Sequence, residues 1–369
     1  MSIGQLMSDV AVVHDYLNQR GGAERVALEL ARMWPDAPIY TSLYRAGSTF
    51  PEFAERDVRT SWIDRLPVDR GFRSLFPLYP NAFADLGPVD ADLVVTSSSG
   101  WAHGIRTRPD ATHVVYCHTP ARWLYGTDYL GASSRQQAVA RPLLGAMRRW
   151  DKAAAHRATL YVANSRNVQQ RISTTYGLDA EVVYPPVDLE RFRPRERGDR
   201  LLVVSRLLDY KRVDAVIRAA NQAKLPLDIV GSGPSFDELR ALAGPTVVFH
   251  RRLEDKAVTA LMENCRALVL PGEEDFGITP VEAQAAGKPV VALCAGGALE
   301  TVEAGVTGTF FHDHAPESIL AALAAADAIE TPPEEIARRA SRFAREAFVA
   351  RMRSVVERAH ERSLVPIAA

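Results

Sequence analysis

The chain has 369 residues, enough for two domains with a sizeable core in each. Hydrophobic residues make up 47% and charged residues 24%, and the formal net charge of −1 argues against a nucleic-acid partner. The three cysteines, Cys117, Cys265 and Cys294, are odd in number, widely spaced and set in or beside apolar runs. They fit reduced thiols in a cytoplasmic core and argue against a disulfide framework or a zinc site.

The opening MSIGQLMSD has no basic region followed by an apolar core, so no signal peptide is expected. No apolar run approaches the ~20 residues that a membrane-spanning helix requires. The first strand is expected at 10–13. Gly21-Gly22 then opens a helix whose apolar positions Ala23, Val26, Ala27, Leu30 and Trp34 keep helical spacing. Residues 62–80, WIDRLPVDRGFRSLFPLYP, mix Arg65, Arg70 and Arg73 with Trp62, Phe72, Leu75, Phe76 and Tyr79. Two readings stand for them: a basic-aromatic surface suited to a lipid headgroup layer, or a loop and helix that turn their aromatics into the core.

Further strands are expected at 93–96, 113–117, 160–163 and 182–184. The segment 188–199, dense in charge and ending near glycine, reads as a linker. A second series of strands follows at 201–204, 227–230, 247–249, 268–270, 290–293 and 309–311, each with a helical segment behind it. Helices near 315–328, 332–345 and 347–362 close the chain. Alternating short strands and helices are the signature of parallel α/β sheets, and two such domains imply a cleft with ligands outside the carboxyl ends of the strands.

Three features of the second half fall at strand ends or helix starts. In 203–211, VVSRLLDYK, a strand runs into Arg206 and Lys211, a planar fork and a point charge suited to phosphate, though such pairs are also common on solvated surfaces. VGSGP at 230–234 is a glycine turn after a strand. EEDFGITPVEAQAAGKPVV at 273–291 places Glu273, Glu274, Asp275 and Glu282 around Gly277 and a helix start. Thr279 reads as the cap, Pro280 as the first helical residue and Glu282 as the third, bonding back to the cap amide. Glu282 therefore has a purely structural reading beside a functional one. A nucleotide sugar reconciles the acids with the phosphate-binding groups. Its diphosphate takes Arg206, Lys211 and backbone amides, while its hydroxyls donate to carboxylates.

Glu274 and Glu282, eight positions apart within EDFGITPVEAQAAGKPVVA, stand with SRLLDYK, VGSGP, Gly21-Gly22-Ala23-Glu24, Tyr116-Cys117-His118-Thr119-Pro120, Val162-Ala163-Asn164-Ser165 and Tyr184-Pro185-Pro186-Val187-Asp188. In this order they resemble the retaining nucleotide-sugar glycosyltransferases of family 4, over nearly the whole chain. The resemblance implies the GT-B fold, an α/β architecture of two Rossmann-like doubly wound domains. Residues 1–190 would form the acceptor domain, with 347–369 packing back on it, and 191–346 the donor domain.

By the same resemblance Arg206 and Lys211 neutralise the diphosphate, Glu274 binds hydroxyls of the transferred sugar and Glu282 the ribose. Gly22 and the amides of Gly277, Ile278 and Thr279 add backbone donors, with Gly21, Gly231, Arg252 and Phe276 also at the donor. His118 bonds the sugar near its reacting carbon; the alternative is a buried strand-end histidine bonded to backbone. No metal and no other cofactor is implied. Where relatives often carry Phe-Leu-Gly-Arg, this chain has Phe249-His250-Arg251-Arg252 near the base pocket, so base recognition does not carry over. HDYLNQRGGAERV and YCHTPARWLY are most similar to mannosyltransferases of cell-surface polysaccharide assembly, implying GDP-mannose as donor and a glycan or lipid-linked acceptor, at the inner face of the cell membrane or in the cytoplasm. Arg122, Trp123, Tyr125 and Tyr129 would line the acceptor side. A UDP- or ADP-sugar transferase on a soluble acceptor, a nucleotide-sugar 2-epimerase, a non-catalytic sugar-nucleotide-binding protein and a glycosidase are the alternatives.

Overall fold

The runs of Val, Leu and Ile expected to form strands do so, in two all-parallel sheets. The structure, a computed structural model, describes residues 9–67, 72–125, 134–251 and 253–364. By its internal contacts the chain divides into one unit of 1–186 with 348–369 and a second of 187–347.

The first unit is built on β1 (Val10–His14), β2 (Ile39–Thr41), β3 (Val58–Thr60), β4 (Leu93–Ser98), β5 (Thr112–Cys117), β6 (Leu160–Ala163) and β7 (Ala180–Val182), in the order β3-β2-β1-β4-β5-β6-β7. Helices cover both faces, so the central strands β1, β4 and β5 carry unbroken apolar runs, with polar residues only towards their ends. Val12, Leu93, Val95 and Val114 share one core with Val26 and Leu30 of the helix Gly22–Met33. Ala11, Val13 and Val94 meet Tyr79, Phe83 and Trp101 on the other face. Phe348, Met352, Val355, Val356 and Ala359 form one helical stripe of Arg345–Leu364 and join the first of these cores. Burying such large side chains contributes roughly 1.5–3 kcal/mol each relative to exposure.

The second unit holds β8 (Leu201–Val204), β9 (Leu227–Val230), β10 (Val247–His250), β11 (Ala267–Leu270), β12 (Val290–Leu293) and β13 (Gly308–Phe311), ordered β10-β9-β8-β11-β12-β13. This is the doubly wound order, reversing direction between β8 and β11; the first sheet reverses between β1 and β4. The crevice at such a switch point is where open α/β sheets bind ligands.

Three expectations are corrected. Strands β2 and β3, three residues each, carry too little periodicity to stand out in the sequence. The strand expected at 182–184 lies instead at Ala180–Val182. The charged segment after 187 is no free linker, because its groups are bonded to the second unit. Arg197 donates to the carbonyls of Ala326 and Ile329 at 2.8 and 2.7 Å, Arg193 N donates to Glu263 at 2.8 Å, and the fully buried Lys288 reaches the carbonyls of Arg195 and Glu196.

Candidate functional site

At the carboxyl end of β8 the chain turns through exposed Arg206 into the short turn Asp209–Lys211. Two glycines let the neighbouring loop lie against this turn. A Cβ on Gly231 would fall 1.9 Å from the Ser205 carbonyl oxygen, and one on Gly233 2.1 Å from that of Leu207. Leu207 N donates to Ser232 O at 3.0 Å and Ser235 N to Leu207 O at 3.2 Å. The backbone of Lys211 sits on the β11 loop, where a Cβ on Gly272 would be 3.0 Å from Lys211 Cα. Lys211 is buried, its side chain 9% exposed, and its Nζ donates to Glu274 Oε1. Two residues expected at opposite ends of one ligand are thus paired directly.

The helix Ile278–Ala285 starts two residues earlier than the proline signal suggested. Its cap is Gly277, at φ 85°, with no side-chain cap bond. Thr279 and Pro280 are the second and third helical residues and Glu282 the fifth, so the capping box does not form. Glu282 lies too far along the helix to reach the cap amide; its carboxylate lies 3.8 Å from Arg191 Nη1. The amides of the first turn have no partner within the helix and present the positive end of its dipole. The loop before the helix is fixed from the side: Gly297 N donates to Glu274 O at 2.8 Å, and a Cβ on Gly297 would lie 2.4 Å from Phe276 Cα. Phe276 itself is buried and meets Phe343 edge-on at 5.4 Å.

The first unit gathers a second cluster at its own switch point. His14 ends β1 opposite Ser97 of β4, and His118 follows β5. His14 Nδ1 lies 3.0 Å from Ser97 Oγ and 3.2 Å from Ser97 O, and Ser97 Oγ lies 2.8 Å from His118 Nε2. His14 Nε2 faces Glu24 Oε1 at 3.9 Å. Glu24 comes from the first turn of Gly22–Met33 and is held by Gln19 Nε2 at 2.9 Å. Its carboxylate is tucked under Gly21, where a Cβ would meet Oε2 at 2.6 Å. Burial, with His14 beside it, pushes the His118 pKa down to about 3, so the ring is neutral at physiological pH. The backbone of His118 is anchored by Asn164 Nδ2, 3.0 Å from its carbonyl. Asp15, buried beside His14, accepts from the amides of Trp101 and Ala102 at 2.9 and 2.7 Å and from Ser99 N, pinning the loop after β4.

Residues 20–191 match the family described as Glycosyltransferase Family 4, and residues 188–347 match Glycosyl transferases group 1. Each half of the chain thus matches a glycosyltransferase family model. Curated relatives include the D-inositol 3-phosphate glycosyltransferases of Mycobacterium tuberculosis and Mycobacterium bovis, 33% identical over a stretch covering 42% of this chain. That stretch spans only 38% of the relatives' own length. Among solved structures, HepE from Anabaena in complex with UDP and glucose aligns with a TM-score of 0.71 at 20% identity, covering 95% of this chain and 99% of HepE. Sucrose-phosphate synthase from Thermosynechococcus elongatus aligns with a TM-score of 0.68 at 16% identity, covering 96% and 100%. These likenesses agree with the GT-B fold, two Rossmann-like parallel-sheet domains.

Within these two matched regions several expected residues have other duties. Tyr125 donates to Asp151 at 2.8 Å, and Asp151 lies 3.0 Å from buried His103, so Tyr125 belongs to a buried polar network. Trp123 stacks on Trp101 at 4.4 Å. Of the 62–80 segment, Trp62, Leu75, Phe76 and Tyr79 pack on the core around Trp101, which is the second of the two readings. Arg70 lies outside the described residues, as do Tyr129 and Arg252. His250 hydrogen-bonds Asp228 at 3.0 Å, and Arg251 stacks over Phe236 at 3.9 Å, so the departure from Phe-Leu-Gly-Arg serves local packing. Sequence reasoning missed His14, Asp15 and Ser97. The signal was faint: polar residues ending otherwise apolar strands, which only the sheet order brings together.

Among the described residues no helix is long and apolar enough to cross a membrane.

Proposed function

We propose that the chain is a hexosyltransferase that moves a sugar from a nucleotide sugar to a hydroxyl of a glycan or lipid-linked acceptor with retention of configuration. The observation that carries this is the Lys211–Glu274 pair beside the helix start at Gly277. An ammonium, a carboxylate and outward-facing amides lie at the carboxyl-end crevice of a doubly wound sheet. A nucleotide sugar uses all three: the diphosphate takes the amides, Lys211 and Arg206, and the sugar hydroxyls take Glu274. Glu282, released from capping, is assigned to the ribose. An epimerase or glycosidase gives this set less to do.

As the diphosphate departs, the anomeric carbon gains oxocarbenium character. Arg206, Lys211 and the helix amides stabilise the growing negative charge, usually the largest single term in such catalysis. The acceptor hydroxyl attacks from the face the diphosphate leaves, and a leaving phosphate oxygen takes its proton. The two cations fill the role a divalent metal plays elsewhere, so the reading is metal-independent.

GDP-mannose is the donor we propose, on the likeness of HDYLNQRGGAERV and YCHTPARWLY to mannosyltransferases. UDP-glucose is the second reading, because HepE is known in complex with UDP-glucose and the segment at 249–251 departs from the usual base-pocket sequence. A thermal-shift screen with GDP, UDP, ADP and their sugars tests both. A shift confined to guanosine ligands supports the first, one confined to uridine ligands supports the second, and no shift with any nucleotide sinks the donor assignment. Incubation with donor alone separates transfer from epimerisation, since an epimerase converts the free donor.

A further inference from the structure

We propose that Ser97 and His14 are positioning residues that fix His118 as the Nδ1–H tautomer, so that a neutral imidazole presents an N–H donor from Nδ1. The assignment rests on hydrogen-bond polarity along three residues at the ends of three adjacent strands.

His14 Nδ1 lies 3.2 Å from the backbone carbonyl of Ser97, which can only accept. Nδ1 of His14 therefore carries a proton. The same N–H is 3.0 Å from Ser97 Oγ, which accepts it as well. The Ser97 hydroxyl keeps a second lone pair but, being fully buried, must also place its single hydrogen, and the neighbour that can accept it is His118 Nε2 at 2.8 Å. His118 Nε2 is then an acceptor. In a neutral imidazole the proton must sit on the other nitrogen. The reverse polarity would set an unprotonated His14 Nδ1 against a carbonyl lone pair.

Packing holds the arrangement. Ser97 is fully buried, His14 is 1% exposed, and β1 and β4 are in register with His14 opposite Ser97. His14 Nε2 and Glu24 Oε2 are buried without hydrogen-bond partners, 3.9 Å separating Nε2 from Glu24 Oε1. The Glu24 carboxylate thus approaches His14 on the side away from Ser97, leaving Nδ1 as the nitrogen that serves the relay.

This inference rests on the hexosyltransferase reading and on the role the family resemblance gives His118, near the reacting carbon of the sugar. A neutral Nδ1–H donor suits a sugar oxygen and cannot act as a base through that nitrogen. Its own test does not need turnover. In full-length protein with isotope-labelled histidine, the His118 signals are assigned by their loss in His118→Gln. Expected is a pyrrole-type Nδ1 and a pyridine-type Nε2. Ser97→Ala moves the population towards the Nε2–H form that free neutral histidine side chains favour. His14→Asn, whose amide N–H replaces that of Nδ1, keeps the original tautomer, whereas His14→Leu does not. In turnover, Ser97→Ala lowers kcat about tenfold with KM changed far less, the scale of one neutral hydrogen bond. A wild-type protein with the proton on His118 Nε2, or spectra unchanged in both Ser97→Ala and His14→Leu, overturns the proposal. Absence of sugar transfer with the tautomer intact would instead sink the proposed function alone.

Discussion

Lys211 and Glu274, 63 positions apart, are joined by a hydrogen bond from Nζ to Oε1, with the lysine buried and the glutamate side chain 27% exposed. A cation buried against one partly solvated acid is satisfied, yet a diphosphate can compete for it without leaving a charge stranded. We expect Lys211→Ala to lower kcat about 10²–10³-fold, as for loss of one group stabilising transition-state charge. Its effect on folding should be near 1 kcal/mol, because water reaches the abandoned carboxylate. Steady-state kinetics and urea unfolding measure the two. Full activity in Lys211→Ala would refute the diphosphate role.

Gly297 should be intolerant for a reason unrelated to any ligand contact of its own. A Cβ there lies 2.3 Å from the Phe276 carbonyl oxygen and would push the loop carrying Glu274. Gly297→Ala is expected to cost about 1–3 kcal/mol, typical of overpacking, and to weaken nucleotide binding in a calorimetric titration. Gly145→Ala is the control. It sits inside the helix Ser134–Ala155 with nothing within 4 Å, so it should stabilise by about 0.5–1 kcal/mol.

Lys288 gives a pH signature. Burial lowers its pKa from the usual 10.5, so the folded chain releases this proton at lower pH than the unfolded chain. Between the lowered value and 10.5 the unfolded state binds more protons, and stability rises with pH there. The stability of the wild type relative to Lys288→Met should therefore grow as pH climbs towards 10.5, read from urea midpoints. A difference independent of pH would show that the ammonium is not strained by burial.

His118, with its pKa pushed to about 3, stays neutral across the physiological range. The pH profile of kcat should show no limb from its protonation between about pH 5 and 8. His118→Ala should lower activity by a constant factor over that range. A limb near pH 6.5 that disappears with His118 would contradict the assignment.

How much of this was legible follows from where each signal lives. The strands 160–163, 201–204, 227–230 and 290–293 were read with their observed bounds, since a buried parallel strand is a short unbroken apolar run. Strands β2 and β3 were not, being too short to carry a pattern. Thr279-Pro280 looked like a helix start because local propensity favours it there; the left-handed Gly277, in the loop that Gly297 braces at Glu274 and Phe276, moved the start two residues earlier.

The amino-acid order alone settled the alternation of strands and helices, and hence the parallel sheets, because hydrophobic periodicity is a local property. It also gave the glycosyltransferase likeness, whose motifs are contiguous. Only the folded chain decided that Lys211 meets Glu274, that Glu282 is no cap and that His14, Ser97 and His118 form one relay. Such pairings depend on strand order and register, which bring distant positions together through the packing of whole elements.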